Sequence, residues 1–140
     1  MPAQDQMAQR RAAPLDVLHR KMADAIGRWT RGKEDCSTLI PNLVFFRREA
    51  PTQPCTCLVE PSIVLVVQGA KQLLVGDRAY AYDAERFLIT SLDLPANSQV
   101  LEASPDQPCL GLALRLDLRV MAELIVQSRL PPPRKHTAER

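Results

Sequence analysis

EPSIVLVVQGAKQLLVGDRAYAYDAERFLITSLDLP, residues Glu60 to Pro95, is the stretch on which the fold of this chain turns. Ser62 to Gln68 is β-branched and apolar, as a strand buried on both faces should be. Gly69-Ala70 allows a turn and Lys71 to Val75 returns. Gly76-Asp77 supplies a second short turn, where glycine reaches positive φ without a Cβ clash. Arg78 to Tyr82 alternates large and small side chains. Phe87 to Thr90 follows, and Asp93-Leu94-Pro95 closes the run. Strands this short cannot each cover their apolar faces alone, so they are expected to curl into a sandwich or barrel.

Outward from this centre, the same pattern continues on both sides. Leu43 to Arg48 and Cys55 to Val59 read as strands, separated by the loop Ala50-Pro51-Thr52-Gln53-Pro54, and Arg31 to Ser37 reads as a connection. Gln99 to Ala103 is a further strand, Ser104 to Pro108 a loop. Cys109 to Leu116 alternates cleanly, with Leu110, Leu112, Leu114 and Leu116 on one face. Gly111, Ala113 and Arg115 take the other, which is expected to meet something close or to line a cavity.

Helices are expected at both ends. Residues 1–13 read as disordered. Pro14 opens a helix to about residue 30, with Leu15, Leu18, Met22, Ile26 and Trp29 on one face and Asp16, Arg20, Asp24 and Arg28 opposite. That face would pack on the β body or on a dimer partner. Asp117 is the expected N-cap of a second helix, Leu118 to Ser128, on which Val120, Met121, Leu124 and Ile125 recur at helical spacing. Residues 129–140 read as a Pro-rich basic linker or tail, since Pro131-Pro132-Pro133 cannot continue a helix.

Composition bounds the answer. A length of 140 residues is one domain by size. Aromatics are 4% of the chain, so the core must be built from Leu, Val, Ile and Ala. Residues 1–50 carry nine Lys/Arg against six Asp/Glu, residues 51–128 five against nine, and residues 129–140 four against one. The body is therefore acidic, a poor surface for nucleic-acid phosphates. The N-terminal residues lack the apolar core of a secretory signal, and no apolar run spans a membrane. Cysteines without a signal point to a reducing cytoplasm and free thiols.

Catalytic constellations are sparse. The two histidines, His19 and His136, fall outside the strands, so neither a histidine metal site nor a Ser-His pair can be nominated. No phosphate-cradling glycine motif occurs. No cofactor, metal or catalytic residue is expected, and the chain is read as a non-enzyme. Cys55-x-Cys57 is the sharpest chemical feature: alternation points both thiols to one side, with Cα atoms about 7 Å apart, too far for an easy disulfide. They pack as small hydrophobes, sense an electrophile or oxidant, or, as the least favoured alternative, meet a soft metal. Glu60 and Arg115 either lie solvated on the sheet surface, or Arg115 reads an effector carboxylate or pairs with Glu60 or Asp93 to line a pocket.

Glu60-Pro61-Ser62, Gln68-Gly69, Gly76-Asp77, Tyr80, Tyr82-Asp83, Ser91, Asp93-Leu94-Pro95 and Glu102-Ala103-Ser104-Pro105 fall in one collinear order. That order resembles the N-terminal, cupin-like domain of a branch of the AraC-type transcriptional regulators, from about Thr38 to about Gln127. Ala84-Glu85 departs from the Pro-Gly or Ala-Gly turn common there. The resemblance implies a mainly β, cupin-like double-stranded β-helix, a jelly-roll barrel over residues 38–128 with flanking helices. It also implies a cytoplasmic effector-sensing and dimerisation domain whose helix-turn-helix partner lies outside these residues, so that DNA is met only through that partner. An unidentified small molecule would bind near Cys57, Glu60, Tyr80, Asp93 and Arg115, and a homodimer would form through Met121, Leu124 and Ile125. A stand-alone cupin-like protein binding a small molecule or electrophile, and a cupin enzyme without a histidine metal site, are the alternatives.

Overall fold

The computed structural model describes residues 2–91, 93–129 and 131. Of the expected linker, Leu130 and residues 132–140 lie outside the described residues. The element order is α1 (Pro2–Trp29), β1 (Asp35–Ser37), β2 (Leu43–Arg48), β3 (Cys55–Val59), β4 (Ser62–Gln68), β5 (Ala70–Val75), β6 (Arg78–Asp83), β7 (Leu88–Thr90), β8 (Leu94–Glu102), β9 (Cys109–Arg115) and α2 (Leu118–Gln127).

The strands form two antiparallel sheets. One runs β1-β2-β9-β4-β7 and the other β3-β8-β5-β6. Setting β1 aside as an added edge, the eight strands from β2 to β9 cross between the sheets at every connection except the β5–β6 hairpin, the order of a jelly roll. Two hydrophobic layers result. Inside, Phe46, Val66, Leu73, Tyr82, Ala96, Val100 and Cys109 form the buried core between the sheets. Outside the first sheet, Val67 and Leu110 pack under Ala23 and Ile26 of α1. Consecutive residues of one strand thus serve different layers: Val66 points in and Val67 points out to the helix. This is why β4 reads as continuously apolar.

The expected split of β9 is present, with its roles assigned. The leucine face turns outward, and Leu110 and Leu112 meet α1. The Gly111–Ala113 face turns into the barrel. A β-carbon on Gly111 would fall on the Leu65 carbonyl and the Phe46 ring, so the small residue there admits an aromatic core. Gly69 joins β4 to β5 at φ +84°, and a β-carbon there would lie 2.6 Å from the Glu102 carbonyl oxygen and 2.9 Å from Cys109 Cα. Both its conformation and its surroundings demand glycine.

Four sequence expectations are revised. Residues 2–13, read as disordered, continue α1. Their Ala, Gln, Met and Arg content has high helix propensity, which a search for apolar periodicity overlooks. Of the expected contact face of α1, Met22 and Ile26 do pack on the sheet, joined by Ala23 and Gly27, whereas Leu15, Leu18 and Trp29 are exposed, Trp29 at 63%. Small side chains let the helix approach the sheet, and Thr30 ends it with its hydroxyl donating to Ile26 O at 2.7 Å. Asp35–Ser37, read as connection, pairs with β2 as a short edge strand. Leu94-Pro95 begins β8 instead of closing the run. Pro95 faces Leu58 of β3, whereas pairing with β5 begins only at Asn97, so the missing N–H disturbs a single ladder.

Asp117 caps α2, its carboxylate accepting from Arg119 N at 2.9 Å. Every residue of α2 is exposed, including Leu118, Val120, Leu124 and Ile125. Among the described residues, no helix is long and apolar enough to cross a membrane.

Candidate functional site at the open end of the barrel

Where β2 and β4 begin and β3 and β9 end, the sheets part into an open cleft of about 460 Å³. Asn42, Val44, Leu58, Val59, Glu60, Ser62, Ala113 and Arg115 line it. The chain reaches it through two fixed corners. Asn42 takes φ 67°, a left-handed conformation that asparagine tolerates better than most residues, and its carbonyl accepts from Arg115 N at 2.9 Å. The Glu60-Pro61 corner is held on both sides. Thr90 Oγ1 donates to Glu60 O at 2.6 Å and accepts from Ser62 N at 3.1 Å, while Pro61 O accepts from Leu116 N at 2.8 Å.

These corners bring the Glu60 carboxylate and the Arg115 guanidinium together as an ion pair across the cleft, fifty-five residues apart in sequence. The side chains are 45% and 58% exposed, so solvent screens the pair and it contributes little to stability. An exposed arginine held at a cleft by its backbone, with a partner that can be exchanged, suits recognition of a ligand carboxylate.

The other nominated residues distribute differently. Tyr80 is half-exposed and lines a separate cleft along β6, with Arg86 and Phe87. Asp93 is exposed between β7 and β8 and enters none of the ion pairs among the described residues. Cys57 is half-buried and packs against the inner core, while Cys55 is exposed. Their register, opposite Ala96 and Ser98, puts both on one side of β3. Cys36 lies in β1 of the other sheet and Cys109 is fully buried. Met121, Leu124 and Ile125 are exposed on α2. No group of three or more His, Cys, Asp or Glu side chains among the described residues is arranged to hold a metal ion.

Sequence reasoning missed Lys71. It faces into the barrel opposite Tyr82, and its Nζ lies 4.6 Å from the centre of the Phe46 ring. Burial, then the charge of Arg48, lower its pKa from the ordinary value; Cys109, the Asp35 carboxylate and Cys57 act the other way. The signal was present: Lys71 shares its parity with Leu73 and Val75, and a lone lysine in such a set faces the core. What hid it was the equal plausibility of the opposite parity, Gln72 and Leu74.

Tyr82 is 4% exposed, and burial pushes its phenol from 10.0 up to about 12, with Cys109 and Cys57 adding to the shift and a Ser98 hydrogen bond opposing it. Burial also raises the Cys109 thiol. A native pKa above the unfolded one means that the stabilisation is complete below about pH 10 and is lost as pH rises through 12. Lys71 has the opposite sign, and its contribution, lost on acidification, is already complete above its unfolded pKa of 10.5. Between pH 10.5 and 12, stability should therefore fall by up to about 1.4 kcal/mol per pH unit on account of Tyr82. Urea unfolding in this range should show a shallower decline for Tyr82→Phe. Equal slopes would remove Tyr82 from the alkaline transition.

Among solved structures, a cupin-2 domain containing protein from Shewanella frigidimarina aligns at 9% identity, covering 56% of this chain and 76% of its own, with a TM-score of 0.38. The EutQ protein of Clostridium difficile aligns at 16% identity over 59% of this chain and 66% of its own, TM-score 0.35. KdgF from Halomonas sp. aligns at 16% identity over 60% of this chain and 90% of its own, TM-score 0.34. No curated protein matches the chain. The family model of the AraC-type transcriptional regulator N-terminus matches residues 39–140, which takes in β2 to β9, the cleft and α2, and the chain belongs to that family.

Proposed function

We propose that this domain senses a small carboxylate-bearing effector at the open end of its barrel and passes the event to α2. The observation that carries this is the position of Arg115. Its guanidinium pairs with Glu60 in the cleft, and its backbone stands two residues before Asp117, the N-cap of α2. An effector carboxylate that takes over Arg115 releases Glu60 and alters the last turn of chain before the helix. The response then depends on the difference in effector affinity between the two arrangements.

On this reading α2 is the output surface. Its apolar residues Met121, Leu124 and Ile125 are exposed, which suits pairing with the same helix of a second copy. DNA contact belongs to a separate domain, and the setting is the cytoplasm where such regulators act. The role is one of binding, without a catalytic step.

A panel of small mono- and dicarboxylates, screened by thermal shift, tests the proposal. At least one should stabilise the wild type, and Arg115→Gln should lose that shift while keeping its own melting temperature within a few degrees, as expected for a screened surface pair. In the same series, sedimentation velocity should show wild-type dimers and Leu124→Asp/Ile125→Asp monomers. A carboxylate shift that survives in Arg115→Gln would place recognition elsewhere, and a wild type monomeric at high concentration would remove α2 as the dimer surface.

A further inference from the structure

Towards the other end of the barrel the inner face carries Lys71, Tyr82 and Cys109, with Cys57 on the same face nearer the cleft. Lys71, Tyr82, Cys57 and Cys109 all face the inner core, with Lys71 and Tyr82 directly paired across β5 and β6. Arg48 is paired with Cys109 by register at this end. Its guanidinium is already engaged by Glu34 O at 2.7 Å, Arg47 O at 2.8 Å and Asp35 Oδ1 at 3.1 Å. The Lys71 ammonium makes no ion pair among the described residues, and rests on the Phe46 ring. It is half-buried and so not sealed from solvent.

We propose that Lys71 is a nucleophilic amine that captures small uncharged aldehydes inside the barrel as imines. An amine without a carboxylate partner, in apolar surroundings, is driven towards its neutral and nucleophilic form. The Tyr82 phenol and the buried Cys109 thiol are held in their neutral forms too, so the site disfavours an anionic ligand and accepts an uncharged one. In the reaction the nitrogen lone pair attacks the carbonyl carbon. A C–N bond forms and the carbonyl π pair moves to oxygen. The two protons of the amine pass to that oxygen, the C–O bond breaks, water leaves, and C=N remains. No oxidant or reductant is consumed. Tyr82, held protonated opposite Lys71, is the group placed to relay a proton to the departing oxygen. Apolar walls limit the water that would hydrolyse the product. This site differs in place and chemistry from the Glu60–Arg115 cleft and does not rest on what that cleft binds.

Propanal with sodium borohydride, followed by peptide mapping, tests this in the intact chain at neutral pH. Lys71 should take up the reduced propyl group several-fold faster than the exposed Lys21 or the loop Lys33. Lys71→Met, close in volume and apolar, should fold and lose that fast modification. Propanal alone should raise the melting temperature of the wild type but not of Lys71→Met. Labelling of Lys71 no faster than Lys21 and Lys33, or an equal propanal shift in both proteins, would overturn the proposal. Tyr82→Phe should slow capture without moving its site, and capture at an unchanged rate would exclude Tyr82 as the relay.

Discussion

Gly111→Val should destabilise the domain by about 3 kcal/mol or more, at the upper end of the cost of overfilling a packed core. The reason is geometric. The first carbon of any side chain at this position meets the Leu65 carbonyl and the Phe46 ring. The carbonyl belongs to the β4 backbone and cannot rotate away, and β4 is paired with β9 at this level through Val66 and Gly111. Valine must therefore separate the two strands or push Phe46 out of the core. A loss of this size is a large part of the roughly 5–15 kcal/mol that holds a typical domain together. Urea denaturation followed by far-ultraviolet circular dichroism measures it, as a midpoint lowered by about 1–3 M. Phe46→Leu in the same chain should recover only part of the loss, since it relieves the ring contact and leaves the carbonyl. A midpoint unchanged in Gly111→Val would mean that β9 does not lie as close to β4 as described.

Phe46→Ala should cost about 3–5 kcal/mol, the range for deleting a buried aromatic ring. Phe46 is one of only three phenylalanines in the chain and the one at the centre of the inner core, where it is 5% exposed. Its neighbours Val66, Leu73 and Val100 come from three strands of two sheets, so they cannot collapse together to close the space. The ring also lies under the Lys71 ammonium at 4.6 Å, a contact that its loss removes. Phe87→Ala is the matched control: Phe87 is 61% exposed, and its removal should cost well under 1 kcal/mol. Denaturant midpoints of the two variants decide the matter, and similar losses in both would mean that Phe46 is not the centre of the core.

The strands were legible because their signals are local. Gly69 and Gly76 punctuate Glu60 to Pro95, and both take the positive φ that such turns ask for. The alternation of leucines with Gly111 and Ala113 marked β9 as a two-faced strand before its partners were known. Asp117 announced the start of α2 by capping chemistry, and the spacing of Val120, Met121, Leu124 and Ile125 announced its length. The collinear motifs from Glu60 to Pro105 carried the family resemblance, and the matched residues 39–140 span them. Glu60 was nominated from its place before Pro61 at a strand start and Arg115 from its place in a strand among small residues, and they do meet.

What the chain order left open is decided by long-range contact. Whether the leucines of β9 face the barrel or the helix depends on where α1 lies, and α1 docks through Ile26, which its periodicity announces, together with Ala23 and Gly27, which carry almost no hydrophobic signal of their own. The parity of β5 depends on which face the second sheet closes over. With that closure, Lys71 becomes an interior amine and Gln72 a rim residue, although either assignment suits the same five letters. Tyr80 and Tyr82 share one strand and one parity, yet the sheet edge exposes the first and the core buries the second. Local sequence specifies turns, caps and alternation because those energies involve neighbours in the chain. The face that is buried, and hence which polar groups lose their water and become chemistry, is set only when distant strands close on one another.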